Sequence, residues 1–114
     1  MFNHELKGIV HVTGGGIADN LGRILKEREL GAEITDLHEI PDFVNKVRQM
    51  GNIDYKQAYR LWNMGNGMLL VCRPEIAESI REFIRDSGFA SKLAGKITAA
   101  DHIILNVNSE VIEY

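Results

Sequence analysis

Three consecutive glycines, Gly14 to Gly16, directly follow a short run rich in β-branched residues. That run, Gly8 to Thr13, predicts a strand, because β-branched side chains fit a pleated sheet. A helix with an apolar face at Leu21, Ile24 and Leu25 is predicted next, with Asp19 as its cap. A strand, a glycine turn and a helix in this order limit the chain to folds that combine strands with helices.

The rest of the chain continues this alternation. Strands are predicted at Gly31–Thr35, Gly67–Cys72, Lys92–Thr98 and Asp101–Val107, and helices begin near Pro41, Asp54 and Pro74. Gly51 is expected to end one helix in the left-handed conformation, and Gly88 is expected to end another. Because Gly67–Cys72 is apolar throughout, it predicts a strand buried on both faces. The order β-α-β-α-α-β-α-β-β predicts an α/β (α+β) domain in which helices flank a mixed sheet.

Two of these helices carry apolar residues at helical spacing. The helix after Asp54 has a stripe that is typical of a core rather than of a cofactor site, formed by Tyr55, Ala58, Tyr59 and Trp62. The helix after Pro74 is predicted to face inward with Ile76, Ile80, Phe83 and Ile84.

The composition predicts one globular domain, residues 1–114, and excludes several classes of protein. Hydrophobic residues make up 45% and charged residues 25% of the chain, near the averages for globular proteins. A net charge of -3 lacks the basic excess of a general nucleic-acid binder. No apolar run approaches the roughly 20 residues that cross a bilayer, and Met1–Glu5 lacks the features of a signal peptide. The single cysteine, Cys72, is predicted to be a buried, inert thiol in a reducing cytoplasm.

The glycine tract is the strongest candidate for a binding site. Without Cβ atoms, consecutive backbone N–H groups can converge on one anion, and the following helix adds its positive N-terminal end. Phosphate is the natural ligand, with Thr13 as a hydroxyl donor and Arg23 within reach of the same anion. The pattern is neither a Walker A loop nor a complete dinucleotide fingerprint. The alternative is that the glycines only make a tight turn.

A second glycine-containing loop, Asn63–Gly67, lies between the aromatic helix and the apolar strand. Its glycines favour left-handed geometry at a close approach, although an ordinary helix-to-strand turn also fits. His11 is a candidate general base, and the alternative is a histidine satisfied by neighbouring backbone groups. None of the four histidines (His4, His11, His38 and His102) pairs with another at metal-ligand spacing, so no metal site is predicted.

Two motifs in a fixed order resemble a known enzyme family. They are His11-Val12-Thr13-Gly14-Gly15-Gly16 with Asp19-Asn20 and Arg23-Ile24-Leu25, and later Tyr59-Arg60-Leu61-Trp62-Asn63-Met64-Gly65-Asn66-Gly67-Met68. Together they resemble the signatures of aminoimidazole ribonucleotide (AIR) synthase, which is phosphoribosylformylglycinamidine cyclo-ligase. The resemblance covers about residues 8–97. The departures are Asp19 in place of Glu, Trp62 in place of Phe, Asn66 in place of an apolar Ile, and Gly22 where the family often has proline.

The resemblance implies the C-terminal domain of that enzyme, a three-layer α/β/α fold partly like ferredoxin. The implied reaction converts formylglycinamidine ribonucleotide and ATP into aminoimidazole ribonucleotide, ADP and phosphate, in purine biosynthesis. The family's N-terminal domain, which supplies most ATP and Mg²⁺ contacts and much of the dimer interface, has no counterpart in these residues. We therefore expect a chain that is inactive alone, that binds no cofactor tightly, and that needs an N-terminal domain or partner chain and forms a homodimer.

The resemblance also implies roles for individual residues. The phosphate end of the cleft would be lined by Thr13, Gly14, Gly15, Gly16, Asn20 and Arg23, and its wall by Asn63, Gly65 and Gly67. His11 is the candidate catalytic residue. Two other functions stay open: a small phosphate-binding or regulatory module that kept the fold without the reaction, and a sister activity of the same superfamily.

Overall fold

The computed structural model describes residues 6–114, so the expectations for Met1–Glu5, His4 among them, fall outside the described residues. The strands are β1 (Leu6–His11), β2 (Gly31–Ile34), β3 (Met68–Cys72), β4 (Gly95–Thr98), β5 (Ile103–Val107) and β6 (Glu110–Glu113). The α-helices are α1 (Gly16–Leu25), α2 (Asp42–Met50), α3 (Tyr55–Leu61) and α4 (Ala77–Asp86). Short 3₁₀ turns, Lys26–Arg28 and Pro74–Ile76, follow α1 and precede α4. The predicted α/β fold is confirmed.

The larger sheet has four strands in the order β4-β2-β5-β6. The central pair, β2 and β5, is parallel, and both outer strands are antiparallel to their neighbours. The core forms where α1 and α3 meet this sheet, and its most deeply buried members include Ile17, Ala58 and Leu105. The sequence reasoning missed β6, because its residues Glu110–Glu113 are only four, with two adjacent apolar residues between two glutamates and so no alternating pattern.

A separate two-stranded ribbon is formed by β1 and β3, which run antiparallel. The expectation that Gly67–Cys72 would be buried on both faces is wrong. Met68 is 60% exposed, and its partner across the ribbon is His11. An isolated pair of strands has an uncovered face, so the apolar run here reflects a surface rather than the middle of a sheet.

The start of α1 also differs from the prediction. The helix begins at Gly16, three residues before the predicted cap Asp19, and Gly15 occupies the cap position with φ 95°. Glycine reaches this left-handed conformation without steric cost, so the tract itself turns the chain into the helix. Asp19 lies in the first turn of α1, where a carboxylate is favoured by the helix dipole.

The other predicted helix ends have mixed outcomes. Asp54 caps α3 as expected, accepting a hydrogen bond from the backbone N–H of Gln57 at 2.8 Å. Gly88 has a left-handed conformation, with φ 92°, just after α4, where the helix end was expected. Gly51 does not, because its φ is -86°, and Asn52 adopts the left-handed conformation instead with φ 51°. Asparagine tolerates that region because its short polar side chain can bond locally.

The aromatic stripe on α3 belongs to the core, as predicted. Ala58 and Tyr59 are buried, and Tyr55 and Trp62 pack against the core from its margin. On α4 the prediction fails for Phe83, which is 53% exposed. Ile80 is the one buried residue of α4. The helix therefore packs against the domain through a narrow strip of its surface.

Cys72 is partly rather than fully buried. Burial nevertheless raises the pKa of its thiol, which keeps the sulfur protonated at neutral pH. Within residues 6–114, no helix is both long and apolar enough to cross a membrane.

Candidate functional site

The two glycine loops lie side by side at one end of the ribbon. The backbone N–H of Val12, just after β1, donates to the carbonyl of Gly67, just before β3, at 2.9 Å. The antiparallel register places His11 opposite Met68 next to this bond. Two segments separated by about fifty residues in the sequence therefore form one continuous surface, here called the loop pair (Thr13–Gly16 and Asn63–Gly67).

The first loop is a tight turn closed by its own backbone. The N–H of Gly16 donates to the carbonyl of Thr13 at 3.0 Å, and both Gly15 and Gly16 have positive φ. A Cβ atom on Gly16 would lie 1.6 Å from the carbonyl oxygen of Tyr59, so only glycine lets α1 approach α3 this closely. Gly14, in contrast, has no atom of residues 6–114 within 4 Å of where its Cβ would be, and it is exposed.

The buried side chain of Asn20 holds the first loop together. Its Nδ2 donates to the carbonyl of Gly16 at 2.7 Å, and makes longer bonds to the carbonyls of Thr13 and Gly14. Its Oδ1 accepts from the hydroxyl of Thr13 at 3.3 Å. Because every polar atom of this amide already has a partner in the loop, Asn20 positions the loop rather than facing a ligand.

The second loop is built on left-handed residues. Met64 and Gly65 both have positive φ, and Asn63 Oδ1 accepts from the N–H of Gly65 at 2.9 Å. The Met64 side chain is fully buried and anchors the loop to the core. Asn63, Gly65 and Gly67 are exposed, as a ligand-facing surface requires.

Asn66 has a role in this loop that the sequence reasoning did not assign. It is only 4% exposed, and its Oδ1 accepts from the N–H of His38 at 3.0 Å. Its Nδ2 donates to the carbonyls of Met64 and Asn63 at 3.3 and 3.4 Å. The side chain therefore ties the second loop to the segment after β2. A polar residue between two glycines was the available signal, but the distant partner could not be read from it.

The remaining predicted site residues lie at the margin of the loop pair. His11 is exposed on the open face of the ribbon. Arg23 lies in the last turn of α1, seven residues after Gly16, which places it about 10 Å further along the helix axis. The structure does not bring Arg23 to the glycine turn. Asp19 is closer, since a Cβ on Gly15 would lie 2.7 Å from its carboxylate.

The chemistry of the loop pair is that of backbone donors and a helix N-terminus. The first turn of α1 leaves N–H groups without intrahelical acceptors beside the exposed Gly14, which suits an anion. The carboxylate of Asp19 opposes an anion at the same place. Among residues 6–114, no three His, Cys, Asp or Glu side chains are grouped so that they could hold a metal ion.

The fold and the loop pair together define an α/β domain with two glycine turns at one edge. Residues 1–108 match the family described as AIR synthase related protein, C-terminal domain. The chain belongs to this family, and the resemblance noted from its two motifs is confirmed.

Similar proteins carry the same name across distant organisms. The phosphoribosylformylglycinamidine cyclo-ligases of Brevibacillus brevis and Carboxydothermus hydrogenoformans are each 35% identical over 103 residues, which cover 90% of this chain and 30% of those proteins. The chloroplastic enzyme of Arabidopsis thaliana is 34% identical over 110 residues, covering 96% of this chain and 26% of that protein. The chain thus spans less than a third of the length of these relatives.

Proposed function

We propose that this chain is the substrate-side, C-terminal domain of an ATP-dependent cyclo-ligase that closes the imidazole ring of aminoimidazole ribonucleotide in purine biosynthesis. In this proposal the loop pair holds the phosphate of formylglycinamidine ribonucleotide. The relatives are named for this reaction, and the chain aligns with one part of them. Turnover would then require the rest of the enzyme, and the 114 residues alone would be inactive.

One observation carries the proposal: the bond from the Val12 N–H to the Gly67 carbonyl joins the two motifs into one surface. A phosphate placed there would meet backbone N–H groups from the start of α1 and the exposed glycines of both loops. Phosphoryl and ring-closing chemistry depends mainly on positioning and on stabilising phosphate charge, which rigid backbone donors provide.

The residues divide into two groups in this proposal. Gly14, Gly65 and Gly67 are exposed and would approach the ligand. Asn20 and the hydroxyl of Thr13 are bonded to each other and would act by holding the first loop in shape. His11, exposed at the end of β1 beside the loop pair, would be the general base.

In this proposal the complete enzyme requires ATP and Mg²⁺. It would act in the cytoplasm. The proposal is tested by adding the N-terminal remainder of the Brevibacillus brevis relative and measuring aminoimidazole ribonucleotide formation. Activity only in the mixture supports a domain of the cyclo-ligase. Turnover by the chain alone contradicts it.

Calorimetric titration of the chain with ribose 5-phosphate tests the anion site itself. Gly14→Val should abolish binding without unfolding the protein, because the new side chain enters open space. Ala99→Val, in an exposed turn between β4 and β5, is the matched control. Gly15→Val is a poorer choice, since φ 95° would strain any residue with a Cβ.

A substitution of Asp19 should change anion affinity in the opposite direction to Gly14→Val. Asp19→Asn removes a carboxylate beside the glycine turn and should strengthen anion binding about fivefold, corresponding to about 1 kcal/mol of repulsion. Arg23→Ala should weaken binding less than Gly14→Val does, because Arg23 lies two turns away. Unchanged affinity in both Asp19→Asn and Gly14→Val would place the anion elsewhere.

A second function is favoured by Asn66. In the family that the chain resembles, this loop carries an apolar residue, whereas here a buried amide joins the loop to His38. A phosphate-binding or regulatory module that no longer catalyses ring closure would tolerate such a change. Two results together would support this second function. The chain binds ribose 5-phosphate but forms no aminoimidazole ribonucleotide when mixed with the N-terminal remainder, and the Asn66→Ile variant is also inactive in that mixture.

A further inference from the structure

The ribbon of β1 and β3 has an open edge along β3. The bond from the Val12 N–H to the Gly67 carbonyl fixes which residues of the ribbon are hydrogen-bonded pairs. Since such pairs alternate along antiparallel strands, residues 67, 69 and 71 bond to β1, and residues 68, 70 and 72 direct their N–H and C=O groups away from it. Within residues 6–114, no third strand pairs with this outer edge of β3.

The side chains along the same edge are apolar and exposed. Met68 is 60% and Leu70 36% exposed, and Ile9, which lies opposite Leu70 on β1, is 60% exposed. The other face of the ribbon packs on α1, because a Cβ on Gly8 would lie 2.8 Å from Cδ1 of Ile24. A pair of strands alone is marginally stable in water, and three or more strands are needed for independent stability. The ribbon would therefore gain from a further strand.

Edge strands usually carry a feature that prevents pairing with another chain, and β3 differs from the other edges of the described residues in this respect. Those other edges bear charges, namely Lys7 on β1, Lys96 on β4, and Glu110 and Glu113 on β6. The irregular register of the ribbon also falls on β1. In contrast, β3 reads Met-Leu-Leu-Val-Cys, without charge or proline. A strand edge of this kind pairs readily with another strand.

Charge favours a second copy of β3 as the strand that fits this edge. A two-fold axis through Leu70 sets Leu70 against its own copy and Met68 against Cys72 of the other copy, so the outward N–H and C=O groups gain partners. Arg73, which directly follows β3, then lies opposite the uncharged Gly67. A pair of β6 strands would instead set glutamate against glutamate, which is destabilising.

We propose that two copies of this chain associate through the outer edges of β3, antiparallel about a two-fold axis, to form one sheet in the order β1-β3-β3-β1. A single short strand pair buries little surface, so the dimer is weak and depends on concentration. The loop pair lies at the Gly67 end of β3, so the two loop pairs lie at opposite ends of the shared sheet. The inference goes beyond the proposed function, since it requires neither the substrate nor the rest of the enzyme.

The test is sedimentation velocity of the chain at about 5 to 500 µM, a range over which a weak dimer forms. We expect the sedimentation coefficient to rise from that of a monomer to that of a dimer. Leu70→Lys sets two ammonium groups against each other at the axis and should weaken association at least tenfold. Val111→Lys is the matched control, because Val111 is also exposed on an edge strand and the change in net charge is the same. It should leave association unchanged.

Cross-linking tests the register and keeps the proposal testable if Leu70→Lys does not fold. Directly opposite residues of a hydrogen-bonded pair have Cα atoms about 5.5 Å apart, within the range of a disulfide. In a Cys72→Ser background, Leu70→Cys should therefore form an intermolecular disulfide on mild oxidation, and Val111→Cys should not.

Three results would each overturn the proposal. They are a monomer at every concentration, Leu70→Lys that associates as well as Val111→Lys does, and equal cross-linking at the two positions. A monomer that binds the N-terminal remainder of the Brevibacillus brevis relative, and loses that binding in Leu70→Lys, would assign the edge to that partner instead. Gly14→Val should dimerise normally, which separates a failure here from a failure of the phosphate site.

Discussion

The two glycine loops are both held by a buried asparagine, but the two asparagines work over different distances. Asn20 bonds within its own loop, to residues four to seven positions earlier in the sequence. Asn66 bonds across 28 positions, to the N–H of His38, as well as within its own loop. The first loop is therefore shaped by local sequence, and the second needs a finished fold around it. This difference predicts which substitutions each loop tolerates.

The largest effect is expected at the contact that joins the first loop to α3. Gly16→Ala would place a Cβ against the Tyr59 carbonyl at a positive φ, so we expect the free energy of unfolding to fall by about 3–5 kcal/mol. Urea unfolding followed by Trp62 fluorescence measures this. Gly14→Ala is the control and should change stability by less than about 0.5 kcal/mol. Equal values for the two variants would show that the tract is only a flexible turn.

Removing Asn20 should cost less than the Gly16 clash but still disrupt the first loop. Asn20→Ala leaves the Gly16 and Thr13 carbonyls without their amide donor, with an expected loss of about 2–3 kcal/mol in unfolding free energy. Phosphate affinity should fall with it, because the loop loses its shape. A variant that keeps full affinity at reduced stability would mean that the amide supports the fold alone.

The side chain of Tyr59 makes stability depend on alkaline pH. Its pKa is raised to about 12 from an ordinary value near 10, so the folded state favours the protonated phenol. This contribution is complete below pH 10 and is lost as the pH rises toward 12, by about 2 kcal/mol at pH 12. Denaturant unfolding at pH 9 to 12 measures the slope. Tyr59→Phe should flatten it, and an unchanged slope in that variant would assign the effect to other groups such as Tyr114.

The smallest effect is expected for the second loop. Asn66→Ile installs the residue type of the family that the chain resembles and leaves the His38 N–H unpaired, while the isoleucine gains apolar burial. We expect a net loss of about 1 kcal/mol, measured by the same urea unfolding. A loss larger than that of Asn20→Ala would reverse the comparison, since the second loop would then depend more on its asparagine than the first.

Much of the fold could be predicted because its signals are local. The strand at β1, the Asp54 cap and the α3 stripe each depend on residues within one or two helical turns. The two motifs identified the family for the same reason. The errors arose where a neighbour distant in sequence decides the outcome: Gly67–Cys72 looked like a central strand, but within residues 6–114 its sheet has two strands.

The candidate site was also predictable where its signals are local in sequence and not where they are distant. The two loops and their glycines were predicted correctly from the sequence. The position of Arg23 was not, because the prediction started α1 at Asp19, whereas the helix begins at Gly16. That shift of three residues turns a side chain thought to lie one turn away into one at the far end of α1. A hollow lined by Tyr59 could not be predicted at all, because its walls come from α3, the segment after β2 and the end of β5, which are distant in sequence.

The close approach of Gly16 to Tyr59 has a mechanical consequence. With no side chain between them, the start of α1 and the backbone of α3 cannot slide independently, and α3 leads directly into the second loop. Opening one glycine turn therefore strains the other, and amide hydrogens in both should exchange with solvent at matched rates. A ligand that rests on either turn would slow exchange at its neighbour without touching it.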